Sequence, residues 1–207
     1  MTSLPLAAGE SAGLADYLDR LLHLDNRAAV RIQAGGTVAG VWCGPPFGVV
    51  ALRPVALADA VTVDATVSAA RLRERLVEGD VAELPGAVPG PSWVGLLPPR
   101  AGWEERGRGS VGYVREAVVQ AKEAFALRAA GVTDRAQLDA AADEVWQRAC
   151  LAEVPVRAAH AAESLGLLGP GSGEAVAYAA AGWLRLSAPG GSVSVRREPV
   201  PGLSLLR

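Results

Sequence analysis

The stretch of residues 27–52, RAAVRIQAGGTVAGVWCGPPFGVVAL, decides the fold class because its apolar residues recur with the period of a β-strand. Apolar and polar residues alternate over residues 30–33, and the apolar run resumes over residues 38–42, a pattern typical of half-buried strands. Gly35 and Gly36 separate the two runs and predict a tight hairpin turn. A third apolar run, residues 49–52, follows a Gly-Pro-Pro loop. We therefore expect a three-stranded antiparallel meander.

Helices are expected on both sides of this meander. Residues 11–24 carry leucines at helical spacing, and Ser11 is the predicted N-cap. Asp64 or Thr66 is the expected cap of a second amphipathic helix, which ends at Gly79. The first half of the chain is thus predicted to be a helix–meander–helix unit.

The second half carries three helical patterns, over residues 111–130, from Thr133 or Asp134 to residue 149, and over residues 155–165. Two short apolar runs then flank Pro189, Gly190 and Gly191, which predicts a closing β-hairpin. The predicted fold class is α+β: an antiparallel β meander with flanking helices, then a helical part closed by a C-terminal β-hairpin.

Residues 85–99 contain five prolines and three glycines, a composition typical of a connection between two parts of a fold. We therefore divide the chain into residues 1–84, a connection over 85–102, and residues 103–207. The two outer parts are expected to share one core.

The amino-acid composition restricts the classes of protein to which the chain can belong. Half of the 207 residues are apolar and a fifth are charged, so the chain is expected to fold as a globular protein. The net charge of −2 provides no general attraction for nucleic acid or anionic lipid. Nineteen arginines against one lysine are typical of proteins from GC-rich bacteria. With no secretory signal, no membrane-length apolar run and two isolated cysteines, the expected location is the cytoplasm, and no cofactor is expected.

One motif, GRGSVG at residues 107–112, has the spacing of a dinucleotide-binding loop. The residues before it, Glu104 and Glu105 among them, do not form the apolar strand that such a loop requires. Two other interpretations of the motif remain. It forms a looser anion site with Arg106, Arg108 and Ser110, or it is a plain lead-in to the following helix.

A second hypothesis is a winged helix-turn-helix that binds DNA. The helix starting at Pro155 would be the recognition helix and the C-terminal hairpin the wing. The predicted DNA contacts are Arg157, Arg185, Arg196 and Arg197. Because the recognition helix is otherwise rich in alanine, an Ala-rich packing helix is the simpler interpretation.

Tryptophans flank the proline-rich connection, where Trp93 and Trp103 enclose Arg100. Aromatic and arginine side chains on a stiff segment are typical anchors of a protein interface, and these three residues are the predicted interface. They serve equally well to pin the connection to the core.

The residues that titrate near neutral pH, His23, His160, Cys43 and Cys150, have no partner in sequence. The sequence therefore favours a non-catalytic interaction or small-ligand-binding protein over an enzyme. The alternatives are the DNA-binding regulator and an enzyme acting on a phosphorylated small molecule at residues 106–112, with His23 or His160 as acid or base. Edge strands of the predicted hairpins make a homodimer a natural arrangement.

Overall fold

The structure is a computed structural model that describes residues 3–76 and 81–197. The elements of the first half are β1 (Ser3–Pro5), α1 (Glu10–Leu24), β2 (Ala29–Cys43), β3 (Val50–Ser68), α2 (Ala69–Arg75) and β4 (Val81–Glu83). Those of the second half are β5 (Glu104–Ser110), α3 (Val111–Ala129), α4 (Arg135–Trp146), β6 (Ala149–Leu151), β7 (Val154–Pro155), α5 (Val156–Ser164), β8 (Glu174–Ala180), β9 (Trp183–Ala188) and β10 (Gly191–Arg196).

An antiparallel six-stranded sheet joins the two halves, with the strand order β2-β3-β10-β9-β8-β5. Two small antiparallel pairs, β1-β4 and β6-β7, lie beside it. The α+β fold class predicted from the sequence is confirmed. The division at residues 84 and 102 stays a prediction, although buried side chains of both halves belong to one continuous hydrophobic core.

The predicted turn at Gly35 and Gly36 is wrong, because β2 passes straight through both glycines. β2 pairs with β3 along its whole length, and the register shifts between Gly36 and Val38. Gly36 has a φ of 139°, a conformation open to glycine that lets the strand absorb this bulge. Two glycines in a strand pattern therefore mark an irregularity here and not a chain reversal. The reversal falls in the Gly-Pro-Pro loop.

The helix starts of the first half also differ from the prediction. α1 begins after Gly9, and the Ser11 hydroxyl donates instead to the carbonyl of Leu76. β3 continues past Asp64 and Thr66, so Ser68 caps α2 by accepting from the Arg71 amide. Strand pairing with β2 outweighs the local helix preference. The predicted helix end at Gly79 lies outside the described residues.

In the second half, the three helices and the closing hairpin follow the sequence prediction, whereas the sheet strands β5 and β8 were not predicted. Ser110 caps α3 and accepts from the Tyr113 amide at 3.0 Å. Asp134 caps α4 and accepts from the Gln137 amide at 2.8 Å, three residues later as the spacing predicts. α5 starts directly after Pro155, and β9 and β10 form the predicted C-terminal hairpin.

The two faces of the large sheet differ in what covers them. The cross-strand row Cys43, Ala51, Val193, Leu186 and Ala177 is fully buried on the face that packs against the helices, which we call the inner face. α5 lies against this face through small buried alanines, which allow a close approach. Strand alternation places the next row of residues on the opposite, outer face.

Candidate functional site

The outer face carries the cross-strand row Trp42, Leu52, Ser192, Ser187 and Val176. Residues 85–103, here called the strap, cross this face from the β2–β3 side toward β5. The strap contains one turn of 3-10 helix, Ser92–Gly95, and no other helix or ladder strand. The predicted connection is therefore a segment that packs on the sheet.

Hydrogen bonds to or from its backbone attach the strap to the sheet at its start and at its middle. The Val88 amide donates to the carbonyl of Thr66 at 2.9 Å. Arg31 donates from Nη1 to the carbonyl of Val94 at 2.6 Å and from Nε and Nη2 to Asp64 at 2.7 and 2.8 Å. This guanidinium, joined by the amide of Gln33, holds the pKa of Asp64 at about 2. One arginine thus links the sheet to the strap.

Trp103 and Arg185 attach the end of the strap. The Arg185 guanidinium lies 3.7 Å from the centroid of the Trp103 ring, and the Trp103 Nε1 donates to the carbonyl of Pro99 at 2.8 Å. Burial lowers the pKa of Arg185 from its usual value, and the ring face partly replaces the lost water. Trp103 therefore pins the connection to the sheet.

Trp93 lies against the backbone of Gly44. A Cβ atom at position 44 would stand 2.5 Å from Cδ1 of the indole, so only glycine leaves room for the ring. Grooves of about 480 and 260 Å³ open on the two sides of Trp93.

The smaller groove is the more apolar surface, and we call it the Trp groove. It is lined by Gly44, Pro45, Gly48, Val49, Val50, Ser92, Trp93, Leu96, Trp183 and Arg196. Leu96 is half exposed at its rim, and the Arg196 guanidinium lies 5.0 Å from the centroid of the Trp183 ring. An apolar floor with an arginine at the edge is the composition of an interface anchor site.

Arg100 lies on the same face, beside a groove of about 540 Å³ whose walls include Trp42, Leu52 and Asp64. The strap therefore brings Trp93, Arg100 and Trp103 to one surface. Their role as an interface stays a prediction. Sequence reasoning missed Gly44 and Trp183, which face Trp93 only after the chain folds, and the only signal was the glycine preceding two prolines.

The residues of the predicted anion site lie on β5, at the edge of the sheet. Arg106 contacts Glu153 at 3.2 Å, and Arg108 contacts Glu105 at 2.6 Å and Glu174 at 3.1 Å. The hydroxyl of Ser110 is used as the cap of α3. The anion site stays a prediction, and any anion there would compete with carboxylates of the protein itself.

The four arginines of the DNA hypothesis have different environments. Arg157 belongs to α5, and five of the nine residues of that helix are buried. Such a helix is covered by its own fold and does not have the exposed surface that insertion in a major groove requires. Arg185 is held by Trp103, Arg196 lies at the Trp groove, and Arg197 is paired with Glu153. Their assignment as DNA contacts stays a prediction.

Both cysteines are buried, and burial raises the pKa of Cys43 to about 12 and that of Cys150 to about 11. His160 is stacked on Trp146 with ring centroids 4.9 Å apart, and burial lowers its pKa. His23 is exposed at the end of α1. Because their pKa values are raised, the thiols of Cys43 and Cys150 are protonated at neutral pH and are poor nucleophiles.

Within residues 3–76 and 81–197, no cluster of three or more His, Cys, Asp or Glu side chains has the geometry to hold a metal ion. None of the helices in those residues is long and apolar enough to cross a membrane.

Two family models match the chain, one after the other. Residues 1–95 match the model described as Domain of unknown function (DUF8010), and residues 98–200 match Domain of unknown function (DUF8185). No curated protein matches the sequence significantly.

Several solved structures share the fold. A DnaN sliding clamp (DNA polymerase III subunit beta) from Bartonella birtlesii, bound to griselimycin, has a TM-score of 0.56 at 11% identity, over 98% of this chain and 67% of its own. A DNA polymerase sliding clamp from Pseudomonas aeruginosa has a TM-score of 0.54 at 13% identity, over 93% and 64%. A structure of that clamp with ligand has a TM-score of 0.51 at 12% identity, over 95% and 64%.

At such identities the likeness shows the fold alone, which is that of a sliding clamp. The chain spans about two thirds of the length of these clamps.

Proposed function

We propose that this protein is a non-catalytic interaction protein that binds an extended apolar segment of a partner protein in the Trp groove. The observation that carries the proposal is the groove itself, where Trp93, Trp183 and Leu96 surround an apolar cleft beside Arg196. Tryptophan and arginine are the residues most often found as energetic anchors of protein interfaces.

The size of the groove supports a side-chain ligand over a cofactor. Its volume of about 260 Å³ is below the range of about 300–1,000 Å³ typical of small-molecule pockets. The groove is open to solvent, so we expect an extended segment to cross it with one or two apolar side chains inserted. The buried, protonated thiols described above also support a binding role over nucleophilic catalysis.

The charge of the helices argues against DNA as the partner. The five described helices carry nine Arg and Lys residues against ten Asp and Glu residues. A surface that binds the phosphate backbone needs a clear excess of positive charge.

We also propose a cytoplasmic protein that forms a homodimer. β2 and β5 are the two edges of the large sheet, and within residues 3–76 and 81–197 each pairs with one neighbouring strand of that sheet. Edge strands are natural sites for pairing between copies. Light scattering coupled to size-exclusion chromatography tests this proposal, and a monomer mass at micromolar concentration would contradict it.

Peptide selection tests the Trp groove. Phage-displayed peptides are selected on the purified protein and their affinities measured for the wild type, Leu96→Glu and Leu127→Glu. Leu96 is 51% exposed at the groove and Leu127 is 79% exposed on α3, so the two substitutions are chemically matched. We expect apolar peptides whose Kd weakens about tenfold or more in Leu96→Glu and stays unchanged in Leu127→Glu. Equal binding to all three proteins would refute the proposal.

A further inference from the structure

We propose a second binding site, for the phosphoryl group of a small molecule, on the helical side of the sheet. It is a pocket of about 450 Å³ between α1, α3 and the loop after α5, and three arginines line it: Arg20, Arg53 and Arg115. We call it the arginine pocket. It lies where residues of the two matched family segments meet, and junctions of this kind are common ligand sites.

Arg53 occupies a position that the strand pattern reserves for an apolar residue. Its neighbours two residues away on β3, Ala51 and Val55, are buried, and its partner on β2, Val41, is buried as well. Arg53 therefore projects from the inner face of the sheet among core residues. Placing a guanidinium there costs desolvation energy, which is compensated only by good polar partners.

A glycine of α1 leaves space beside this side chain. Gly13 is the fourth residue of α1, a helical position where alanine is favoured over glycine by up to about 1 kcal/mol. A Cβ atom at that position would collide with Nη2 of Arg53. The glycine thus lets the guanidinium lie against the helix.

Arg53 lacks a strong partner within the described residues. Only 20% of its side chain is exposed, its nearest carboxylate is Glu10 at 3.8 Å from Nη2, and Nε is buried without a hydrogen bond. A buried donor that stays unpaired is expensive, so a ligand acceptor supplied from the pocket would relieve that cost.

The other two arginines complete a set of donors. Arg20 lies over Gly166, where a Cβ atom would stand 3.0 Å from Nε, and it forms no ion pair within the described residues. Arg115 donates to the carbonyls of Gly169 and Gly171 and so fixes the loop that closes the pocket.

The charge of the pocket suits an anion. Two carboxylates, Asp16 and Glu163, line it beside the three guanidinium groups, and Glu163 is already paired with Lys122 at 2.9 Å. A net positive pocket with several planar donors fits the tetrahedral oxygens of a phosphoryl group. Its volume accommodates a small phosphorylated molecule.

Calorimetric titration of the full chain with inorganic phosphate, glucose 6-phosphate and glucose tests the site. The variants are Arg20→Gln, Arg53→Gln and the control Arg135→Gln, whose side chain is 87% exposed on α4. We expect 1:1 binding of inorganic phosphate or glucose 6-phosphate that weakens about tenfold or more in Arg20→Gln and Arg53→Gln, because each loses charged hydrogen bonds. The control should bind like the wild type, and glucose should not bind.

Tighter binding of glucose 6-phosphate than of inorganic phosphate would support a phosphate monoester as the ligand, and equal binding would support the free anion. No saturable binding of either, or the same affinity in all variants, would overturn the proposal. Arg20→Gln keeps the test valid if Arg53→Gln fails to fold, because Arg20 is exposed. The Leu96→Glu variant should bind phosphate normally, so failure of this site and failure of the Trp groove are distinguishable.

Discussion

Replacement of Trp103 tests how the strap is held on the sheet. In Trp103→Ala the strap loses the cation–π contact with the half-buried Arg185, worth about 1–2 kcal/mol. It also loses the hydrogen bond from Nε1 to the carbonyl of Pro99, worth about 1 kcal/mol, and some ring packing. We therefore expect the free energy of unfolding to fall by about 3 kcal/mol, near the lower end for loss of a large aromatic side chain.

Trp103→Phe is the matched variant, because it keeps a smaller aromatic face under Arg185 while it removes the N–H donor and part of the indole ring. It should cost about 1–2 kcal/mol, clearly less than Trp103→Ala. Urea unfolding followed by far-UV circular dichroism measures both values, and a double-mutant cycle with Arg185→Ala should give a coupling of about 1 kcal/mol. If the Ala and Phe variants were equally stable, or if the coupling were zero, the account of the strap would be refuted.

Three further predictions concern burial and charge. Because burial raises the pKa of Cys43 and Cys150, Ellman's reagent at pH 8 should label neither thiol in the native protein and both after unfolding; rapid native labelling would contradict their burial. Burial lowers the pKa of His160, so the unfolded state binds more protons than the native state between the two pKa values. The free energy of unfolding should therefore fall as the pH drops below about 6.5, by at most about 1.4 kcal/mol per pH unit. His160→Phe should flatten this dependence in urea unfolding between pH 5 and 8, while the exposed control His23→Gln should retain it. Arg31→Met should speed amide hydrogen exchange in the strap, whereas unchanged exchange would show that Arg31 does not hold it.

The sequence predicted the elements whose signals are local. Asp134 with Gln137 three residues later specified a helix start, and the same local chemistry placed the closing hairpin. The first half was harder to predict, because the Gly35-Gly36 pair is compatible both with a hairpin turn and with a strand bulge. Only pairing with β3, a contact distant in sequence, distinguishes the two.

Only part of the candidate site could be predicted from the sequence, because the rest depends on contacts between residues that are distant along the chain. Trp93 and Trp103 were recognisable because they flank a proline-rich segment. The groove also needs Trp183, ninety residues further along the chain, and no local pattern links the two tryptophans. Arg53 had a usable signal that was missed, since a charged residue interrupts the apolar side of a strand between Ala51 and Val55.

The central claim, that the Trp groove binds an apolar segment, is tested most directly by the indole signals of the ¹⁵N-labelled protein. The five tryptophans give five N–H signals, each assigned with a single Trp→Phe variant. On addition of a selected peptide, we predict that the signals of Trp93 and Trp183 shift, while the signal of Trp146, which stacks on His160 and is not a lining residue of the groove, does not. Unchanged Trp93 and Trp183 signals at saturating peptide would contradict the claim.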